Sequence, residues 1–431
     1  MSWRERLRAL RMDVTPLRDS RDFRLLFVAG TVFYFGAMVS YVAIPYQIYT
    51  LTGSNFAVGA IGLVELVPLV VFGLYGGALA DHVDRRRLLV GTGLAQAAFT
   101  AVLAVNAFDG TPRVWLIFVV AALLASSSSM QRPSREALMP RTVRHDQVAA
   151  ATNLQGLGMQ VGVLVGPALG GLLVAYVGIG WCFLVDICGL AGATVLYAAM
   201  RPYPHRAETT PPSLAGVAEG MRYALGRRDL LGTYLVDIAA MLLALPVVLF
   251  PALAEEVFGR PELLGLLYSA ETVGALLATA LGGWTSRVDR HGRAIVVAAA
   301  SYGVCVGLAG LMPSIWLVAM FLMLSGAADM ISGVFRSTVW SQTIPEGMRG
   351  RLAGIEMLSY SLGPLGGQVR AGATADLWSV RGAVVSGGFA CVAGVGLTAL
   401  ALGDFWSYDA RTDRYAVAER AVRAAAGELS G

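Results

Sequence analysis

The chain alternates between long apolar runs and short polar breaks. A membrane-spanning helix needs roughly 20 mostly apolar residues. Runs near that length occupy 25–50, 55–80, 88–107, 114–131, 148–176, 180–200, 230–254, 262–286, 294–312, 314–335, 352–377 and 382–403. The pattern predicts twelve spans. Breaks such as Thr52–Ser54, or the one around Pro313, leave room only for a reversal, so neighbouring spans run antiparallel. The one long internal polar stretch is 201–228. It opens with Arg201-Pro202-Tyr203-Pro204 and contains Pro211-Pro212, the composition of a linker. Leu214, Val217, Met221 and Leu225 then recur at helical spacing, which predicts a short amphipathic helix lying on the membrane face. The linker separates two groups of six spans, 25–200 and 229–403. A short segment, 1–24, precedes them. A polar tail, 404–431, helical or loosely ordered, follows.

The two groups are related. Val83-Asp84-Arg85-Arg86 follows the second run and Val288-Asp289-Arg290-His291 follows the eighth, at an offset of 205. Glu65 and Glu271 lie 206 apart, and Arg144 and Arg349 again 205 apart. Landmarks sharing one offset indicate a duplicated six-helix unit. Halves related by an axis along the membrane normal hold substrate near the midplane between them. The expected fold is an all-α integral membrane protein, its twelve transmembrane helices forming two pseudo-symmetric six-helix bundles.

Composition agrees. Hydrophobic residues make up 56% of the chain and charged residues 14%, against about 45–50% and about 25% in soluble domains. Mean hydropathy is +0.62. The 51 glycines suit closely packed spanning helices. All 33 basic residues are arginine, a bias without functional weight. Their positions do carry weight, because basic residues gather on the cytoplasmic side. Arg4 through Arg24, Arg85–Arg87, Arg132–Arg144, Arg201–Arg228, Arg287–Arg293, Arg336–Arg351 and Arg411–Arg423 all fall on one side. The other side has only Arg113, Arg260 and Arg381. Both termini are therefore expected in the cytoplasm, with the chain in a bacterial inner membrane. The first apolar run is too long for a secretory signal core and is taken as a span. Cys182, Cys188, Cys305 and Cys391 sit in apolar runs without metal-ligand spacing and are expected to be small buried hydrophobes.

Three segments carry a family resemblance. Gly77-Ala78-Leu79-Ala80-Asp81-His82-Val83-Asp84-Arg85-Arg86 resembles the loop signature of the major facilitator superfamily, G-x-L-A-D-R-x-G-R-R. His82 replaces the usual Arg and Asp84 the usual Gly. Gly162-Val163-Leu164-Val165-Gly166-Pro167-Ala168-Leu169-Gly170-Gly171 matches G-x-x-x-G-P-x-x-G-G, a pattern associated in that superfamily with exporters that exchange a drug or metabolite for protons. Asp329 through Arg336, with Pro345-Glu346-Gly347-Met348-Arg349-Gly350-Arg351, is similar to the enterobactin-exporter-like branch. The resemblance implies a secondary transporter working by alternating access. It also implies gating roles for Asp81, Arg85 and Arg336. Asp81 can accept from Arg85 or cap a nearby helix. Gly166 and Pro167 either form a hinge or simply allow close packing.

Ionisable residues inside spans need a cavity, a partner or a proton, since a mid-membrane charge costs roughly 2.5–3.5 kcal/mol on insertion scales. The candidates are Glu65, Asp186, Asp237, Glu271, Asp329, Glu356 and Arg370. Asp186 and Glu356 lie towards span ends and read as interface residues. Glu65 and Glu271 are the sharpest pair for proton coupling, because a carboxyl in an apolar cavity tends to hold its proton. Asp237 and Asp329 join them, and Arg370 is placed to stabilise one carboxylate. Tyr34, Tyr41, Gln155 and Gln160 are candidates to line a cavity for an amphipathic substrate with few charges.

No H-E-x-x-H, G-x-S-x-G or Walker segment is present, so neither an enzyme nor an ATP-driven pump is expected. The expected partners are a small-molecule substrate, protons and the lipid bilayer. No cofactor, metal or nucleic acid is expected, and the chain should act as a monomer. An importer or a non-transporting receptor are the alternatives.

Overall fold

The computed structural model describes residues 13–203 and 214–425; within these, the side chains of residues 73–82, 214–218, 220, 346–347, 349–351, 353–355, 357–358, 423 and 425 lie outside the description. The fold is all-α, with no strand among the described residues. Six long helices occupy the first half: α1 (Arg21–Thr52), α2 (Asn55–His82), α3 (Arg85–Phe108), α4 (Val114–Thr142), α5 (Val148–Tyr176) and α6 (Ile179–Ala198). Six more occupy the second half: α7 (Arg228–Ala244), α8 (Leu264–Ala280), α9 (His291–Leu311), α10 (Ile315–Thr343), α11 (Glu346–Leu377) and α12 (Val380–Ala401). Eleven stretches among the described residues are long and apolar enough to cross a membrane. The twelfth span is α11, many of whose side chains lie outside the description. The expected amphipathic helix is Leu214–Leu225, and the tail forms Gly403–Trp406 and Arg414–Ala425.

Tight reversals use glycine where L-residues are strained. Gly53 closes α1 with φ 63°, its N–H donating to the Tyr49 carbonyl at 2.8 Å. Gly259, 206 residues on, repeats the conformation at φ 60°.

Two elements depart from the hydropathy reading. Helix α4 does not stop near residue 131 but runs to Thr142, carrying Gln131, Arg132, Ser134 and Arg135 as helical residues. A hydropathy window sees those residues as a loop; the helix keeps them because its buried face takes Gln131 and Ser134. The seventh span breaks at Leu245-Pro246, where proline has no N–H to donate. The chain then continues through a 3-10 turn at Val247–Leu249 and a π-type turn at Leu253–Val257.

The helices expose apolar side chains that a soluble surface would not tolerate. Leu63, Val67 and Val71 form an exposed stripe on α2 at four-residue spacing, the face a spanning helix offers to lipid. The same logic corrects one cysteine. Cys182 and Cys391 are buried, but Cys188 is exposed, which costs a small apolar side chain nothing against lipid tails.

The chain divides into two compact units, Met1–Gln47 with Val67–Pro211, and Ile48–Leu66 with Pro212–Gly431. The first unit is held by buried Phe23, Leu26, Leu89, Leu138, Leu154, Leu190 and Tyr197. Its α1 and α5 meet along glycines. A Cβ on Gly162 would lie 2.9 Å from the Phe35 nitrogen, and one on Gly166 would lie 2.5 Å from Met38. Gly158 meets Thr31 and Gly170 meets Val39 in the same stripe. The second unit repeats the device between α7 and α11. Gly363 and Gly367, 205 residues beyond Gly158 and Gly162, pack against Met241. The start of α2 belongs to this second unit because α11 grips it. Asp376 accepts from the Ser54 hydroxyl at 2.6 Å and from the Asn55 and Phe56 N–H groups at 2.8 and 3.0 Å. Gly59 and Gly62 press against the Gln368 and Leu365 backbone.

Candidate transport site

In the second unit charged side chains from three helices, joined by a serine of a fourth, form a string. Asp237 of α7 pairs with Arg336 of α10, both side chains almost fully buried. Ser359 of α11 donates to the other Asp237 oxygen at 2.9 Å. A second Arg336 nitrogen lies 3.8 Å from Asp329, one helical stretch along α10. Beside Asp329 stands Glu271 of α8, next to Ser325; its Oε1 is buried without a protein partner. Helices α8 and α10 come together there because Gly274 and Gly326 let the backbones touch, Gly326 directly against the Glu271 backbone. Aromatic rings flank the string: Tyr234 stacks on Trp340 at 5.4 Å, and Trp340 meets Tyr360 edge-on.

Three of the candidate acids, Asp237, Asp329 and Glu271, thus lie in one string, and Arg336, read as a gating residue, joins them as the central cation. Arg370 does not. Its Nε donates to the Leu242 carbonyl at 3.3 Å and its Nη1 to that of Ala383 at 3.4 Å. Leu242 is four residues before Pro246, so its carbonyl has lost its helical donor. Arg370 satisfies the break in the seventh span rather than a carboxylate. Glu65 lies half-buried on α2, and Glu356 half-buried on α11.

In the first unit the polar groups are of another kind. Arg135 of α4 donates to the Tyr34 hydroxyl and stacks 4.6 Å over its ring and 5.7 Å from Phe33. Ser128, one face-repeat back along α4, donates to Gln96 of α3 at 3.4 Å. Gln131 is 2% exposed. Sequence reasoning found Tyr34 but missed Gln96, Gln131 and Arg135, since they fell in what read as a loop or a plain span. The signal was the Ser126–Ser129 run with Gln131 and Arg135 at helical spacing. Asp186 was misplaced too. It is buried, not interfacial; it accepts from Ser40 at 2.6 Å, against the bare backbone of Gly36. Tyr34, Gln155 and Gln160 are half-buried, and Tyr41 is exposed.

The loop between α2 and α3 supplies the gating candidates. The Asp81 side chain lies outside the described residues. The capping role falls to Asp84, which accepts from the Arg86 and Arg87 N–H groups at 2.9 and 3.2 Å. Arg86 donates to the Tyr197 and Ala198 carbonyls at the end of α6. Arg85 reaches the Ala137 carbonyl at 3.4 Å. Gly166 and Pro167 are buried in the α1–α5 contact.

A family model described as transmembrane secretion effector matches residues 12–419. The chain belongs to that family. Among curated relatives, an enterobactin exporter from Citrobacter koseri is 26% identical over 379 residues, 87% of this chain and 91% of the relative. One from Shigella flexneri is 28% identical over 363 residues, 80% and 82% of the two chains. Among solved structures, a bacterial homologue of the human lysosomal transporter Spinster, in an inward-facing and unoccupied conformation, superposes with a TM-score of 0.68 at 16% identity. It covers 89% of this chain and 95% of its own. The nucleoside transporter NupG gives 0.69 at 11% identity, covering 90% and 100%. These likenesses give the major facilitator fold. This transmembrane secretion effector is thus a multi-pass membrane transporter of the major facilitator superfamily, a family of carriers and not of enzymes.

Proposed function

We propose that the chain is a proton-coupled exporter of small amphipathic molecules, of the siderophore, drug or metabolite kind, working by alternating access in a bacterial inner membrane with both termini in the cytoplasm. Its similarity to enterobactin exporters supports the direction and the class of cargo. The observation that carries the coupling is the string Glu271, Asp329, Arg336, Asp237. Two carboxyls, Asp237 and Asp329, share the Arg336 guanidinium in a low-dielectric bundle and a third, Glu271, stands beside them, so the string does not keep every carboxylate charged and paired at once. A proton arriving on Asp237 weakens its hold on Arg336, which then turns to Asp329 without leaving α10. That shift exchanges an α7–α10 tie for a tie within α10. A switch of this kind links proton occupancy to helix movement. Glu65 is a further proton carrier on α2. Asp81 and Arg85 act as the inner gate, so Asp81→Asn should lower transport.

The test uses purified protein in sealed vesicles loaded with a pH-sensitive dye. Enterobactin supplied on the cytoplasmic side should drive proton movement in the opposite direction. Asp237→Asn, Asp329→Asn and Glu271→Gln should each reduce that flux while the protein still inserts. Full flux in all three variants removes the string from coupling. Cargo moving inward with the proton gradient overturns the exporter reading.

A further inference from the structure

Three polar rungs join α7 to α10. Asp237 pairs with Arg336, Thr233 accepts from the Trp340 indole at 2.8 Å, and Arg227, just before α7, donates to the Thr343 carbonyl at 2.9 Å. Arg336, Trp340 and Thr343 recur at four- and three-residue steps, so they share one face of α10. The first two rungs use side chains of the two helices alone. The third is completed by segments outside the bundle. Thr343 is the last residue of α10, so its carbonyl has no helical donor, and a cation there is favourable. Arg227 is held for that task by Asp229, Nε to Oδ1 at 3.1 Å, and donates as well to the Tyr223 hydroxyl of the linker helix at 2.9 Å. Its edge is thus occupied. Its flat face is covered by the Tyr415 ring of the tail helix, 3.5 Å from the guanidinium carbon.

The tail is anchored unevenly. Phe405 is buried, its ring against Gly232 of α7 and its carbonyl against Gly292 of α9, and Tyr408 is buried on His291. Beyond them the hold is lighter. The Arg411–Asp289 pair is exposed on the arginine side. In the tail helix Ala416 and Glu419 are buried, while Val417 and Val422 are exposed. Asp413 caps that helix, accepting from the Tyr415 and Ala416 N–H groups at 3.0 and 2.9 Å, which fixes Tyr415 in its first turn.

We propose that the tail is an autoinhibitory strap: Tyr415 seated on Arg227 keeps water from the third rung and holds α7 and α10 together at that end, and lifting the tail helix about its Phe405 anchor frees them. A guanidinium wetted on one face holds its partners less strongly, because water screens its charge. The inference rests on the reading that the Asp237–Arg336 tie is exchanged during transport. The strap slows that exchange by holding the same two helices further along the seam.

Hydrogen exchange on the full chain in detergent reads the seam without gradient or cargo. Tyr415→Ala should speed exchange over 229–233 and 340–343 by about two- to thirtyfold, the range expected from losing one cation–π contact. Enterobactin turnover in sealed vesicles should rise at least about twofold. Tyr415→Phe, which keeps the ring, should match the unsubstituted chain in both. Removal of 412–431 should act like Tyr415→Ala and stands in if that variant does not fold. Unchanged exchange in Tyr415→Ala, or equal loosening in Tyr415→Phe, overturns the strap. Faster exchange with unchanged or lower turnover, in a chain that transports before substitution, overturns the inhibition. Faster exchange in Tyr415→Ala while no form of the chain moves enterobactin sinks the exporter reading for that cargo and leaves the strap standing.

Discussion

The loops after α2 and after α8 have nearly the same sequence and perform different tasks. In the first, the Asp84 side chain caps α3 and Arg86 covers the open carbonyl end of α6. In the second, Asp289 ion-pairs with Arg411 at 2.7 Å, and its carbonyl accepts from the Ala410 N–H. His291, in the place of Arg86, stacks on Tyr408 and lies tilted against Phe335. The difference follows from what comes next in the chain. After α6 the polypeptide leaves for the linker, and an arginine is needed to satisfy the helix end. After α12 it folds back, and the Phe405 carbonyl presses on Gly292 while its ring presses on Gly232. A long arginine would compete with that tail. Duplication thus conserved a backbone, and the surroundings reassigned its side chains.

The interiors differ in the same way. Both units join two helices through glycines at one spacing, yet among the described residues the buried ion pairs lie in the second. The position 205 before Arg336 is Gln131. The largest effect is expected from breaking that asymmetry. Asp237→Ala takes its close partner from buried Arg336, leaving it Asp329 at 3.8 Å, and should cost about 3–5 kcal/mol. Thermal unfolding in detergent would show it, and adding Arg336→Met should restore much of the loss. If Asp237→Ala is harmless, the pair is not a structural tie.

The shared feature comes next. Gly162→Leu and Gly367→Leu should each destabilise by about 1–3 kcal/mol, because a Cβ at either site meets backbone atoms of the facing helix. Gly156→Leu, with open space around its Cβ, is the control and should be neutral. Similar losses at the two sites, read by the same melts, would establish the repeated interface as equivalent; a large difference would argue against it.

Smaller still is the loop itself. Asp84→Ala removes a helix cap and should cost about 1 kcal/mol, whereas Asp289→Ala should leave α9 intact and loosen the tail. Hydrogen exchange over 85–90 and 414–425 distinguishes the two, and matching patterns would contradict the reassignment. The least effect is expected of Arg411→Ala. That ion pair is solvent-exposed on the arginine side, and such pairs contribute about 0.2–1 kcal/mol. Added salt should mimic the substitution.

Much of this molecule was legible from one dimension. Span length and the antiparallel order follow from the bilayer's thickness and from backbone groups that must bond within their own helix, and the repeat offset is read from matching residues of the two halves. Those constraints act on every residue of a run, so composition alone reveals them. The glycine spacing of α5 announced close packing for the same reason. Partnership was not legible. The sequence could not say that Arg336 pairs with Asp237, that Arg370 serves a carbonyl freed by Pro246, or that Asp186 is buried against Gly36. It also hid Gln131 and Arg135 within an apparent loop. Which side chains meet depends on how each helix is rotated and how far its neighbour approaches. Small residues far apart in the chain decide both, and only the tertiary structure brings them together.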